Sequence, residues 1–510
     1  MSELKELNNL RGGLWIQGLE NVRDVVLESR EANLGEKQHI QSLRLNWRRS
    51  GAQSSEDVES VLEGLQPHRN LKKLCIEGYG GIRFPSWMMN GGLSSMLPNL
   101  TTVNLEGCSR CQTLPCFVRL PHLKSLQLDD LEKVEYMECS SEGPFFPSLE
   151  NLNVNRMPKL KELWRRGLPT HPPPSLPCLS KLKIYFCDEL ASLELHSSPL
   201  LSQLEVVFCD ELASLELHSS PLLSILEIHH CPKLTSLLLP QSPLLSRLDI
   251  RFCGDLASLE LHSSPLLSSL KIFDCPKLTS VQASSLPCLK ELKLMKVRDE
   301  VLRQSLLVTA SSLESVSIER IDDLITLPDE LHQHASTLQT LEIWICTRLA
   351  TLPHWIGNLS SLTQLRICDC PKLTSCQKRC VPSLPSTYSN SLVVHTYSKD
   401  AKGQWKRCVP WQPSTYSKSP TVHTYPEDAK GKMVKIGPRL LMSQTLVLIG
   451  YGSDAESHFS CCVLMCLSQV IPNHYLEASK AISMVWPSVV DCPDMKALPE
   501  KMRCEPTVYA

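Results

Sequence analysis

Proline recurs at Pro177, Pro199, Pro221, Pro243, Pro265 and Pro287, always 22 residues apart. Behind each proline runs one frame, written out once as Leu179-x-x-Leu182-x-Ile184-x-x-Cys187-x-x-Leu190-x-x-Leu193. The next copies read Leu201/Leu204/Val206/Cys209/Leu212/Leu215, Leu223/Leu226/Ile228/Cys231/Leu234/Leu237 and Leu245/Leu248/Ile250/Cys253/Leu256/Leu259. A fifth reads Leu267/Leu270/Ile272/Cys275/Leu278/Val281. So short a unit cannot bury its own apolar side. It can do so only against the units before and after it, so the chain must stack.

A period of roughly 20–29 residues carrying LxxLxLxx(N/C) is the signature of a leucine-rich repeat. Alternation at Leu182 and Ile184 is the period-2 pattern of a short strand with one buried face. Leu190 and Leu193 turn inward from the return segment. Cys187 and its counterparts sit in the turn, where a buried S–H can donate weakly to a backbone carbonyl. Proline before the strand sets an extended entry. With glycine rare, the return side is expected as loop, 3-10 turn or short helix. The fold class is therefore an α/β repeat solenoid, a horseshoe with a parallel concave sheet.

The balance of 52 basic against 54 acidic residues, net −2, gives no reason to expect a nucleic-acid or membrane-surface role. No apolar run reaches the roughly 18–20 residues of a membrane-spanning helix. The opening Met1-Ser-Glu-Leu-Lys-Glu-Leu lacks the apolar segment of a secretory signal. Twenty-three cysteines, many at the inner repeat position, read as small hydrophobes in a reduced, cytoplasmic chain.

Along the chain, a strand centred on Leu14 and Ile16 precedes a helix over residues 22–32, and a second helix covers residues 56–65. These early units approach 30 residues, so helices are expected on their convex side. About fifteen units make a solenoid over 1–375. Thr170-His-Pro-Pro-Pro174 reads as a stiff surface excursion. Val381–Gly403 and Val409–Gly431 are a tandem copy in a segment, 376–439, poor in aliphatics and expected to be disordered. The tail 440–510 is poorly defined, with a stray repeat at 486–500.

The stretches LNNLRGGLWIQGLENVRDVVLESREANLGEKQHIQSLRLNW (7–47), LKKLCIEGYGGIRFPSWM (71–88), CPKLTSL (231–237) and LATLPHWIGNLSSLTQLRICDCPKLTS (349–375) resemble one family. It is the leucine-rich-repeat domain of plant intracellular disease-resistance proteins of the coiled-coil, nucleotide-binding type. The resemblance covers roughly residues 1–380. It implies a role in innate immunity and a protein partner: a pathogen effector, a guarded host protein, or a nucleotide-binding module. That module itself is not found, because no GxxxxGK[ST] phosphate loop occurs in the chain.

No catalytic frame emerges. Cys108 and Cys111 form one CxxC, but both fall on core positions, and a zinc site needs four converging ligands. His196, His218 and His262 recur with a copied phrase, which argues duplication rather than a single catalytic geometry. No nucleophile elbow is present, so no enzyme, metal or cofactor is expected. What remains is a surface. Its candidate residues are Lys183, Tyr185, Phe186, Glu205, Phe208, His229, His230, Arg251, Phe252, Lys271, Phe273, Trp344 and Arg366. Within it Phe186, Phe208, His230 and Phe252 occupy one column, either as interface anchors or as rings leaning half-buried on the neighbouring turn. The alternatives to a recognition module are a non-catalytic scaffold or adaptor, or a truncated receptor fragment without signalling.

Overall fold

The computed structural model describes residues 2–48, 54–137, 146–164, 176–239, 242–261, 264–283, 285–309 and 312–373, with two further strands at Val393–Lys399 and Trp405–Arg407. Among them seventeen strands share one sheet. The run begins with Gly12–Gln17 and Ile40–Asn46, and each strand to Gln364–Cys368 lies parallel to its predecessor. In the regular block the pairing is in step: Leu182, Leu204, Leu226, Leu248 and Leu270 lie side by side, as do Ile184, Val206, Ile228, Ile250 and Ile272. All ten are fully buried. Each is worth about 1.5–3 kcal/mol relative to exposure, and the whole file forms one shared spine.

Polar ladders accompany the spine. The thiols of Cys187, Cys253 and Cys275 each lie 3.5 Å from the carbonyl oxygen two residues upstream, a weak S–H donation inside the turn. Every cysteine among the described residues is a free thiol. Beside the strands, the Ser202, Ser224, Ser246 and Ser268 hydroxyls donate to the carbonyl of the serine one coil earlier at 2.9–3.0 Å. The same carbonyls also accept the backbone N–H groups of the next coil, so each hydroxyl adds a further tie at a bond that already joins coil to coil.

On the return side of the regular block the structure adds an element. Ser192–Leu195, Ser214–Leu217, Ser236–Leu239, Ser258–Leu261 and Ser280–Ala283 form a second, five-stranded parallel sheet. The cause is visible in Leu193-Glu194-Leu195, where both leucines are buried and alternation extends the strand pattern past the turn. Just before the block Tyr136–Met137 and Glu162–Trp164 pair in parallel at the corresponding place, and other coils carry helices or 3-10 turns there. The expected early helices run Val25–Glu31 and Ser55–Gly64, capped by Asp24, which accepts from the Leu27 N–H, and by Ser54, which accepts from the Asp57 N–H. At the first coil a buried Lys37 donates to the Leu4 carbonyl at 2.6 Å and to Asn8 Oδ1 at 3.2 Å, tying the opening turns down.

Val393–Lys399 pairs parallel with Gln364–Cys368, and Trp405–Arg407 returns antiparallel. Both fall in the segment expected to be disordered. The local run Val393-Val394-His395-Thr396-Tyr397 is β-branched and aromatic enough to extend an open sheet edge, a signal that the segment's average composition hides. The rest of 376–439, the tail 440–510 with its stray repeat at 486–500, and the excursion at 170–174 lie outside the described residues.

Candidate functional site

Each strand of the regular block buries its second and fourth residues, so its first, third and fifth look outward from the sheet. Parallel, in-step pairing then sets like positions of successive coils about 4.8 Å apart. Charges 20–24 residues apart in the chain thereby become neighbours. Lys183 Nζ lies 3.1 Å from Glu205 Oε1, and the Tyr185 hydroxyl and the Gln203 amide also donate to that carboxylate. Burial alone would raise the Glu205 carboxyl, but Tyr185 and Lys183 outweigh it and hold it below the usual range. Burial and the same carboxylate push the Tyr185 phenol upward.

One strand further, Arg247 donates to Glu227 at 2.6 Å. Asp249, only 2% exposed, accepts two bonds of 2.7 Å from Arg251 Nε and Nη2. His229 Nε2 stands 3.4 Å from the same carboxylate. Burial would raise Asp249, yet Arg251 and His229 hold it far below the ordinary carboxylate range. The Arg251 guanidinium also covers the Phe273 ring at 4.8 Å, a cation–π contact. Next, Glu291 gathers Lys293 at 2.9 Å, Ser269 at 2.7 Å and Lys271 at 3.1 Å, and these draw its carboxyl down to about 2 despite burial. Further along, Arg366 reaches Glu342 at 2.8 Å, with Trp344 half-buried on the neighbouring strand.

Lys183, Tyr185, Glu205, His229, Arg251, Lys271, Phe273, Trp344 and Arg366 therefore all stand on the outward sheet face. The candidate residues omit Glu227, Asp249 and Glu291, the carboxylates that organise the cations. The signal was available, since Glu227 and Asp249 sit at the middle strand position and Glu291 at the first, each beside a strand that carries a lysine or arginine.

The aromatic column has a different geometry. Phe186, Phe208, His230 and Phe252 follow their strands with φ between 53° and 56°, in the left-handed region. Their N–H groups donate to the next strand's last carbonyl, Phe208 to His229 at 2.9 Å and His230 to Arg251 at 2.8 Å, so the ladder continues through the turn. Their rings form one stack: 4.8 Å from Phe186 to Phe208, 4.3 Å to His230 and 4.3 Å to Phe252, with tilts of 7–19°. Phe252 at the end is exposed and the other three are half-buried. Burial holds the His230 imidazole below its usual range, with His229 adding to the effect. The column thus joins coil to coil as well as facing solvent. In the early coils Gly18, Gly78 and Gly107 hold this same turn position, the clue to left-handed geometry that the repeat frame alone concealed.

Among the described residues no three His, Cys, Asp or Glu side chains converge as a metal site, and no helix is long and apolar enough to cross a membrane.

Residues 1–131 match the family model described as R13L1/DRL21 leucine-rich repeats. The Solanum bulbocastanum sequence named for disease resistance as RGA1 is 38% identical over 188 residues, which are 37% of this chain and 18% of RGA1. The disease resistance RPP13-like protein 1 of Arabidopsis thaliana is 33% identical over 210 residues, 37% of this chain and 19% of its own length. The chain thus spans under a fifth of these relatives. Among solved structures, a leucine-rich-repeat protein of Leptospira interrogans aligns with a TM-score of 0.34 at 19% identity, over 71% of this chain and 84% of that one. The stacked parallel coils are leucine-rich repeats, and the coils of residues 1–131 match the R13L1/DRL21 leucine-rich-repeat family model, in keeping with the similarity to plant disease-resistance proteins.

Proposed function

We propose that the chain is a non-catalytic protein-recognition module acting in plant defence, and that the outward sheet face from Lys183 to Glu291 is its binding surface. The observation that carries this reading is the belt of cations held in place by half-buried carboxylates across six adjacent strands. Charges fixed in this way lose little side-chain freedom when a partner arrives, which favours affinity and fixes register. Arg251 over Phe273 adds the arginine and aromatic pairing common at the centre of interfaces. The partner is a pathogen effector, a guarded host protein or a nucleotide-binding module of another chain, and the disease-resistance naming of the relatives supports that class.

A photo-crosslinking residue placed at Lys183, compared with one at the exposed Glu216 on the return sheet, tests the face in pathogen-challenged leaf tissue. The face position should capture one protein, and capture should disappear when Arg251→Ala and Lys271→Ala are combined. Equal capture from the return side, or capture unchanged in the double variant, would remove this surface from consideration.

A further inference from the structure

At one lateral edge of the first five coils lies an open groove of about 720 Å³ that the recognition face does not use. It is built from two neighbouring columns. The residue following the last inward leucine or isoleucine before each strand supplies Arg11, Gln41, Lys72 and Thr101 in successive coils. The residue preceding that apolar position supplies His39 and His122, with Asn70 and Asn99 between them. The backbone holds these columns in step, since the Lys72 N–H donates to the Gln41 carbonyl at 2.9 Å and the Thr101 N–H to the Lys72 carbonyl at 2.8 Å. The asparagine amides brace the wall, Asn70 on the Gln38 carbonyl and Asn99 on the Arg69 carbonyl, both at 3.1 Å.

Neither a carboxylate nor a large apolar side chain lines the groove. Other lysines in the Lys72 column are neutralised by the next coil: Lys124 by Glu150 at 2.8 Å and Lys290 by Glu314 at 3.0 Å. Lys72 has Gln41 and Thr101 as its column neighbours, and among the described residues neither it nor Arg11 forms an ion pair. Two lasting cations therefore stand two coils apart, about 10 Å at the strand spacing. Amide and hydroxyl groups lie between them. Linked phosphates can give each cation a phosphate of its own, and arginine and lysine are the side chains that recognise them.

We infer that this groove binds a small polyphosphorylated molecule, free in solution or as a lipid headgroup, with Arg11 and Lys72 as its two charged anchors. The full-length chain titrated with tripolyphosphate at 150 mM salt should show saturable binding at least tenfold tighter than with orthophosphate. Arg11→Gln with Lys72→Gln should weaken it tenfold or more, while Lys124→Gln with Lys290→Gln should change it less than twofold. All four side chains are exposed, so folding is preserved, and an unchanged melting transition verifies this. Vesicles containing phosphatidylinositol bisphosphate that displace tripolyphosphate identify a headgroup source, and vesicles that do not displace it identify a soluble one. No saturable tripolyphosphate binding, or equal binding by the Arg11/Lys72 double variant, overturns the inference.

Discussion

The early coils, Gly12 to Asn155, and the regular block, Lys181 to Met295, solve the same stacking problem with different residues. In the early coils glycine takes the left-handed turn at Gly18, Gly78 and Gly107, and Asp130 takes it at the coil that follows. Gly78 has φ +68°, and a Cβ there would collide with the Trp47 carbonyl. Helices Val25–Glu31 and Ser55–Gly64 close the back, and the lateral edge is polar. In the regular block the left-handed turn is held by Phe186, Phe208, His230 and Phe252, and then by Asp274. A second sheet closes the back, and the lateral edge exposes Leu200, Leu222, Leu244 and Leu266. In the block a ring that stacks on its copy offsets part of the strain of its turn. Outside the stack the same turn is met by glycine, which carries no Cβ to strain, or by a residue such as Asp130, Asp274 or Ile345 that carries the left-handed φ without a ring partner.

The largest expected effect strikes the spine. Leu226→Ala, fully buried midway in the block, should cost about 3–5 kcal/mol. Because coils depend on their neighbours, hydrogen exchange should show lost protection in the coils on both sides while the early coils keep theirs. Loss confined to the mutated coil would break the picture of a shared spine.

Arg251→Ala comes next. It leaves Asp249 buried with His229 alone. The pair is open to solvent at its arginine end, so the cost should be about 2 kcal/mol, below that of a fully buried pair. Urea denaturation would report it, and the double variant with Asp249→Asn should recover part of the loss.

At the turn, the two regions can be set directly against each other. Phe208→Ala forfeits two ring contacts and keeps the left-handed strain. Phe208→Gly forfeits the rings and releases the strain. Glycine should therefore be the more stable replacement by roughly 1 kcal/mol, the reverse of the usual order. Equal melting points would show that the turn strain is not carried at this residue.

The smallest effects concern one outward carboxylate in each region. Glu291 is drawn down to about 2, below its unfolded value of about 4.3. Its contribution is complete above that unfolded value and is lost as pH falls toward 2. Glu106 has the opposite sign: burial, with Asp129 and Glu77 nearby, raises its carboxyl. The folded state then gains as pH falls through that raised value. Glu291→Gln should lower the melting temperature at pH 7 and have little effect near pH 2, while Glu106→Gln should raise it slightly at pH 7. Equal responses of the two variants would erase this distinction between the two regions.

Much of this was legible in the chain as written. The 22-residue step in Pro177–Pro287 placed the leucines and cysteines from Leu179 to Leu193 and their copies, because a strict period leaves one register in which the framed apolar positions face inward, but it did not place the buried Leu195, Leu217, Leu239 and Leu261. The outward residues followed from the same alternation. The second sheet was not foreseen, because Leu193-Glu194-Leu195 also suits a loop until a neighbouring copy supplies the partner strand. The aromatic column was seen but its geometry was not, since the frame records spacing and not the sign of φ.

The sequence by itself determined that these units must stack and which side chains enter the spine, for burial of a repeated apolar pattern admits few solutions. Only the tertiary structure decided which charges meet. Arg251 finds Asp249 and Phe273, and Lys124 finds Glu150, while Arg11 and Lys72 find no acid. In the early coils, whose lengths vary, no constant step lines up the columns. Neighbours there are set by how each loop packs, and that packing exists only in the folded chain.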